Sequence, residues 1–350
     1  MIAARYRAKA PMLAPPLTDL LNAAFAARQP LIARLDGEDT NAYRLFNGSG
    51  ENRPGLTVDR YGDLLLIQTF HTPLDGHDRV AVERFYADAL PGLVTVYNDR
   101  SGANSRVANP LPAEVLAAAQ KPREFLELGI RYLFQARHAG QDPWLFLDLR
   151  AGRRRVMQEA AGKSVLNLFA YTCGVGVAAA RAGATHVVNV DFSESSLSIG
   201  KENARRNDLP IRLRFVHSDA FAAMRQLAGI GQPEMVRGRK MPAFPRLEQR
   251  SFDLVFLDPP RYAKSPFGVV DIVNDYAALM KPALMCTAAG GTLICCNNAA
   301  QIEHKAWADQ LQRCARKVGR TIRDFEWIAP EADFPSHDGQ APLKIALLRV

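Results

Sequence analysis

From Lys163 onward the chain repeats one rhythm: a short apolar run, a turn, a helix-forming run, then another apolar run. SVLNLFAYTCGVGVAAARAGATHVVNVDFS supplies a strand, a glycine-containing turn, a small-residue helix and a second strand ending at Asp191. A helix through Asn207 leads to IRLRFVHSD, a strand closed by Asp219, and FDLVFLDPP is a fourth strand closed by Asp258. TLICCNN reads as a fifth, after a helix over Tyr276 to Thr287 that Gly290 and Gly291 are expected to stop. Apolar strands alternating with helices predict an α/β fold with a mostly parallel sheet covered on both faces. In such sheets small ligands sit outside the carboxyl ends of the strands, where the three aspartates fall.

The preceding sequence has a different texture. Leu17 to Leu35 has apolar residues at helical spacing, with a break expected near Pro30. The runs LTVDRY, LLLIQTF and LVTVYND read as strands, with a helix from Asp78 to Ala89 before the last. The expected division is a small α+β auxiliary domain over 1–115, a connecting segment over 116–162 that is β-rich and then helical, and the main domain over 163–350. Between Gly231 and Arg250 a proline-containing basic run interrupts the rhythm. It reads as a surface loop, or as an arm whose Arg237, Arg239, Lys240 and Arg246 touch phosphates. Arg150 and Arg153 to Arg155 are a second candidate phosphate patch, or a solvated helix face.

With 44 Lys and Arg against 36 Asp and Glu, a net +8 mildly favours a polyanionic partner. Cysteines at 173, 286, 295, 296 and 314 form neither CxxC pairs nor a regular framework, so zinc and disulfide scaffolds are not suggested and a reducing, cytoplasmic setting is expected. No stretch has the length of a membrane span. His217, His304 and His337 are too far apart in sequence to argue a metal site, and none is expected.

After the first strand, Gly174 and Gly176 sit where a chain turns tightly beside a ligand. A carboxylate at Asp191 can accept from both ribose hydroxyls, and Asp219 is placed to meet an adenine amino group or to fix the adjoining loop. These features alone leave a nicotinamide site open, but Val177, Ala178 and Ala179 follow Gly176, so the GxGxxG fingerprint is absent.

LNLFAYT, the VDFSESSL run, NARRN and DPPRYAKS, in that order, resemble the class I S-adenosylmethionine-dependent methyltransferases. More narrowly they resemble the bacterial 23S rRNA base methyltransferases, whose relatives modify cytosine C5 or guanine N7. The resemblance implies a Rossmann-like catalytic domain, S-adenosylmethionine as cofactor, 23S rRNA or an assembling large subunit as partner, and a small N-terminal domain over 1–115 that helps grip RNA. It implies that Phe169, Tyr171, Thr172 and Gly174 line the methionine end, that Asp191 and Ser193 hold the ribose, that Asp219 lies near the adenine, and that Asp258 lies near the transferring methyl. Pro259 would stiffen the backbone beside the target base, and Tyr262 is a stacking candidate for a flipped base. FLDLR, with Phe146, Asp148 and Arg150, matches a feature ahead of the catalytic domain in these enzymes.

Cytosine C5 requires a cysteine thiolate to add at C6, whereas guanine N7 already offers a lone pair and needs positioning, with an in-line approach at about 3 to 3.5 Å. Where the resembling cytosine enzymes carry their cysteine, this chain has Asn298, and Cys295 and Cys296 come earlier, inside the apolar strand. Asn297 and Asn298 resemble the guanine N7 branch and suit a guanine edge, or else form local turns; Ala299, Ala300 and Gln301 replace the basic segment of those relatives. The preferred reading is guanine N7, with cytosine C5 methylation and a non-catalytic RNA-binding assembly factor as alternatives.

Overall fold

The computed structural model describes residues 15–102, 110–138, 142–211, 213–231, 235–236, 239–240, 244–265 and 268–350. Helix α1 (Leu17–Gly37) buries Leu21, Ala24, Arg28, Leu31 and Leu35, a three- and four-residue spacing that makes one stripe. The expected break at Pro30 does not occur: the proline lies on the exposed face, and the buried stripe on both sides packs on one sheet. That sheet orders β1 (Ala42–Asn47), β2 (Leu56–Tyr61), β3 (Leu64–Thr69) and β4 (Val94–Asp99). The first three are an antiparallel meander, and helix α2 (Gly76–Ala89) carries the chain over to β4, parallel to β3.

β3 shows how its apolar sequence is used. Leu65 and Ile67 pack beneath α1 and α2, whereas Leu64 and Leu66 face Phe125, Tyr132 and Phe134 on the other side. A strand's period of two thus places one run in two cores. After helix α3 (Ala113–Gln120), those aromatics belong to an antiparallel hairpin, β5 (Arg123–Glu127) and β6 (Ile130–Phe134), whose cluster continues into Leu145, Leu147, Val177 and Ala178. Helix α4 (Arg150–Glu159) then leads into the large sheet.

In chain order this part comprises β7 (Ser164–Leu168), α5 (Gly174–Arg181), β8 (His186–Asp191), α6 (Glu194–Arg205), β9 (Leu213–His217) and α7 (Ala220–Leu227). Two short paired strands follow in the insertion, β10 (Met235–Val236) and β11 (Arg239–Lys240), and then β12 (Phe252–Leu257). A hairpin not foreseen in the sequence, β13 (Tyr262–Ser265) and β14 (Gly268–Asp271), precedes α8 (Ala277–Cys286), β15 (Thr287–Asn297), α9 (His304–Lys317), β16 (Asp324–Trp327) and β17 (Lys344–Arg349).

The seven strands order as β16-β17-β15-β12-β7-β8-β9. The five expected strands are parallel, and β17 and β16 extend the sheet antiparallel. Gly290 and Gly291 lie inside β15 rather than ending a helix. They occupy a pairing irregularity against β12, where Gly290 takes φ +74° and a side chain at Gly291 would strike backbone carbonyls. The chain reverses its direction of sheet growth between β7 and β12, so a crevice opens at their carboxyl ends.

Candidate active site

The turn after β7 is built without glycine at its strained positions. Phe169, Tyr171 and Cys173 all have positive φ, at 57°, 48° and 61°. Left-handed backbone at non-glycine residues costs about 1–3 kcal/mol each and persists only when surroundings hold it. Here they do. Both oxygens of Asp191 accept backbone N–H groups, one from Tyr171 at 2.8 Å and the other from Ser193 at 2.8 Å. Asn203 donates to the Thr172 carbonyl at 3.1 Å while its own carbonyl accepts from Leu133 N–H at 2.9 Å, tying the turn to the β5–β6 hairpin. Tyr132 Oη donates to Gly174 O at 3.0 Å, and Thr172 Oγ1 donates to the Trp144 carbonyl.

Gly174 and Gly176 serve packing rather than a loop conformation. A Cβ at 174 would meet Leu145 Cδ1 at 2.4 Å, and one at 176 would meet Asn189 Oδ1 at 2.0 Å. Gly176 faces the sheet and does not border the cavity described next; Gly174 does.

One cavity of about 720 Å³ lies at the carboxyl edge. Phe169, Tyr171, Thr172, Gly174, Asp191, Ser193, Asp258, Pro259, Tyr262 and Asn298 all border it, as do Asp148, Phe146 and Phe192 from outside the expected ligand set. Asp191 and Asp258, expected at opposite ends of a cofactor, therefore open onto the same space, whose size suits a small-molecule ligand. Ser193 also caps α6 by accepting from Ser196 N–H. Phe192, 61% exposed, and Tyr262, 55% exposed, leave large aromatic faces to solvent at this edge, and Phe146 is exposed there as well.

Asp258 is partly buried, and burial, followed by the neighbouring Asp148 carboxylate, pushes its carboxyl up to about 7; a hydrogen bond from the Cys296 thiol and the charge of Arg153 oppose the rise. The unfolded chain releases this proton near pH 4 and the folded chain only near 7. Between those values the folded state binds more protons, so this group makes unfolding progressively easier as pH rises, and its effect is complete above 7. We expect cofactor-free protein carrying Asp258→Asn to lack that component: the difference in urea midpoint between variant and parent should grow in the variant's favour from pH 4 to 7. A constant difference across that range would contradict the assigned environment.

Several expected site residues lie elsewhere. Asp219 caps α7, its Oδ1 accepting from Phe221 and Ala222 N–H, and it does not border the cavity; a strand-end carboxylate preceding a helix here serves the helix. Asn297 is buried, its carbonyl oxygen accepts from Ala299 N–H at 2.9 Å, and only Asn298 of the pair is exposed at the cavity. Cys295 and Cys296 alternate to opposite faces of β15, 0% and 1% exposed, and burial raises both thiols.

The arginine cluster on α4 is not a phosphate patch. Arg150 is fully buried, pairing with Asp333 at 2.6 Å and Glu331 at 3.2 Å and donating to Ala42 O at 3.0 Å. Arg153 pairs with buried Glu127, and Arg154 bridges Glu38 at 2.7 Å and Glu331 at 3.0 Å. Asp333 also accepts from Arg44 N–H, and its carbonyl accepts from Arg28. In the insertion, Arg237 lies outside the described residues, Arg239 stands in β11 and Lys240 is exposed. Phe244 reaches His217, ring centroids 6.2 Å apart, and His217 bonds the Phe192 carbonyl, so this part of the loop does fold back to the carboxyl edge.

Asp148, Phe192 and Asn203 are site residues whose roles the sequence leaves unassigned. Asn203 belongs to the NARRN run, which served only as a family marker.

A seven-stranded mixed sheet, five strands parallel and changing their direction of growth beside such a cavity, with antiparallel β17 beyond them and acidic strand ends opening onto the cavity, has the class I, Rossmann-like methyltransferase architecture. Residues 44–247 match the S-adenosylmethionine-dependent methyltransferase family, to which the chain belongs; it is a methyltransferase whose cofactor is S-adenosylmethionine. Among curated relatives, the ribosomal RNA large subunit methyltransferase I of Aeromonas salmonicida is 27% identical over 314 residues, covering 88% of this chain and 73% of that protein. A ribosomal RNA large subunit methyltransferase of Deinococcus radiodurans is 29% identical over 308 residues, covering 87% and 71%. A K/L-type large subunit methyltransferase of Pseudoalteromonas atlantica is 29% identical over 328 residues, covering 91% of this chain but 43% of that protein. A methyltransferase solved with SAH superposes with a TM-score of 0.76 at 24% identity, covering 95% of this chain and 81% of the other, which bears on the fold alone. No described helix is long and apolar enough to cross a membrane.

Proposed function

We propose that this enzyme methylates a base of 23S rRNA, with guanine N7 as the acceptor. The observation that carries the reading is the shared cavity: acidic groups suited to the cofactor, and an exposed aromatic and an exposed amide, Tyr262 and Asn298, border one space.

The residues fit S-adenosylmethionine. Asp191 accepts backbone N–H groups from Tyr171 and Ser193, one on each oxygen, with the Phe192 N–H also against it; a carboxylate offers about four acceptor directions, so capacity is left for the ribose. Phe192 offers its ring to the adenine, and Asp148 and Asp258 supply negative charge toward the cationic end. When bound, S-adenosylmethionine supplies an electrophilic methyl group. The chain's part is to stack an extruded base on Tyr262, hold its edge through Asn298, and keep the two reactants aligned.

N7 is favoured over C5 because none of the described thiols borders the cavity: the two cysteines of β15 are buried, which pushes both thiols up, and Asn298 stands where the resembling cytosine enzymes carry their cysteine. Cytosine C5 is the second reading, favoured by the Cys296 thiol, which bonds Asp258 on the cavity wall. Purified enzyme, labelled cofactor and unmodified rRNA decide it by the nucleoside recovered. We expect 7-methylguanosine, Cys296→Ala retaining most activity, and Asn298→Ala losing about ten- to a hundredfold in kcat, the range for an unpaired polar contact. Recovery of 5-methylcytidine with an inactive Cys296→Ala would establish the second reading instead.

A further inference from the structure

Between the N-terminal sheet and the large sheet lies a second cavity, about 950 Å³, which the chemistry above does not use. Its wall brings together Phe70 and His71, from the end of β3, with His304 at the start of α9 and His337 from the segment before β17. The last two stand too far apart in sequence to suggest a shared site. We propose that this cavity seats the bases of a single-stranded RNA segment adjoining the target nucleotide, an inference that rests on the RNA reading of the first cavity.

Four observations carry it. The two cavities are linked in two places: Asn298 borders the first and Ala300 the second, while Arg100 lies over the Phe70 ring at 5.0 Å and pairs at 2.7 Å with Asp142, which borders the first. A phenyl and three imidazoles border the cavity, ring types on which unpaired bases stack; Arg100 occupies one face of Phe70 and His304 packs on Trp327 at 4.9 Å, so the exposed His71 and His337 offer the open faces, and burial holds His304 toward its neutral form. Polar groups lack partners there: Thr57, only 8% exposed, borders the cavity with its hydroxyl unbonded, and α9 begins with no side-chain cap on its first N–H groups. Finally, Glu303 and Asp338 share the wall with Lys305 and Lys344, two charges of each sign, so the wall has no net positive charge to hold a run of phosphates inside and suits base edges, leaving the backbone toward solvent.

The test uses the full chain and a fluorescent single-stranded rRNA fragment spanning the modified position. His71 and His337 are both exposed, so the double variant His71→Ala/His337→Ala should fold, as shown by unchanged S-adenosylmethionine affinity. We expect its RNA affinity to fall about tenfold or more, the effect of removing base-stacking partners, with KM raised and kcat at saturating RNA unchanged. Ultraviolet crosslinking of the parent to the same fragment should label the peptides carrying His71, His304 or His337. Parent-like RNA affinity in the variant, or crosslinks confined to other surfaces while the parent still methylates RNA, overturns the inference and leaves the proposed function standing. A parent that binds and methylates no RNA removes both.

Discussion

An alanine at position 191 is expected to weaken S-adenosylmethionine binding about a hundredfold or more. Asp191 works twice: it holds Tyr171 and Ser193 N–H groups, fixing a turn with three left-handed residues, and it has acceptor capacity left for a ribose. Hydrogen bonds to a charged group contribute about 1.5–3 kcal/mol each, so losing two to the ligand gives at least this factor before the loosened turn is counted. Asp191→Asn, which keeps one acceptor oxygen, should fall between the parent and the alanine variant. Calorimetry on the folded proteins measures both. An alanine variant binding within threefold of the parent would mean that the carboxylate only shapes the turn.

The second large effect concerns stability. Arg150→Met leaves Asp333 and Glu331 without their buried partner, and breaking a buried ion pair from one side typically costs about 3–5 kcal/mol. The double variant Arg150→Met/Asp333→Asn should recover part of that loss, because the two changes remove one shared interaction. Urea denaturation provides both values. If Arg150→Met instead left the midpoint unchanged and weakened RNA binding, the guanidinium would belong at the surface after all.

Why Arg150 misleads in sequence is physical. Four arginines within six residues look like an exposed charge cluster, and what neutralises Arg150 lies 183 residues away. Local pattern carries no information about such a partner. The same applies to His71, His304 and His337, which one wall gathers from three distant segments. By contrast, the five parallel strands and the placement of Asp191 and Asp258 were legible, because each depends on a short apolar run and the carboxylate that ends it. Asp219 ends its strand in the same way, but a helix begins at the next residue and takes up its oxygen. β16 and β17 escaped notice because they join the sheet through antiparallel pairing, outside the strand–helix alternation that revealed the others.

Asp333 meets Arg28, Arg44 and Arg150 at one buried point, and all three precede it by at least 183 residues. During synthesis those arginines leave the ribosome long before their common acceptor is made. The N-terminal half must therefore keep this junction hydrated and unlocked, and the final clasp closes only when the last part of the protein arrives.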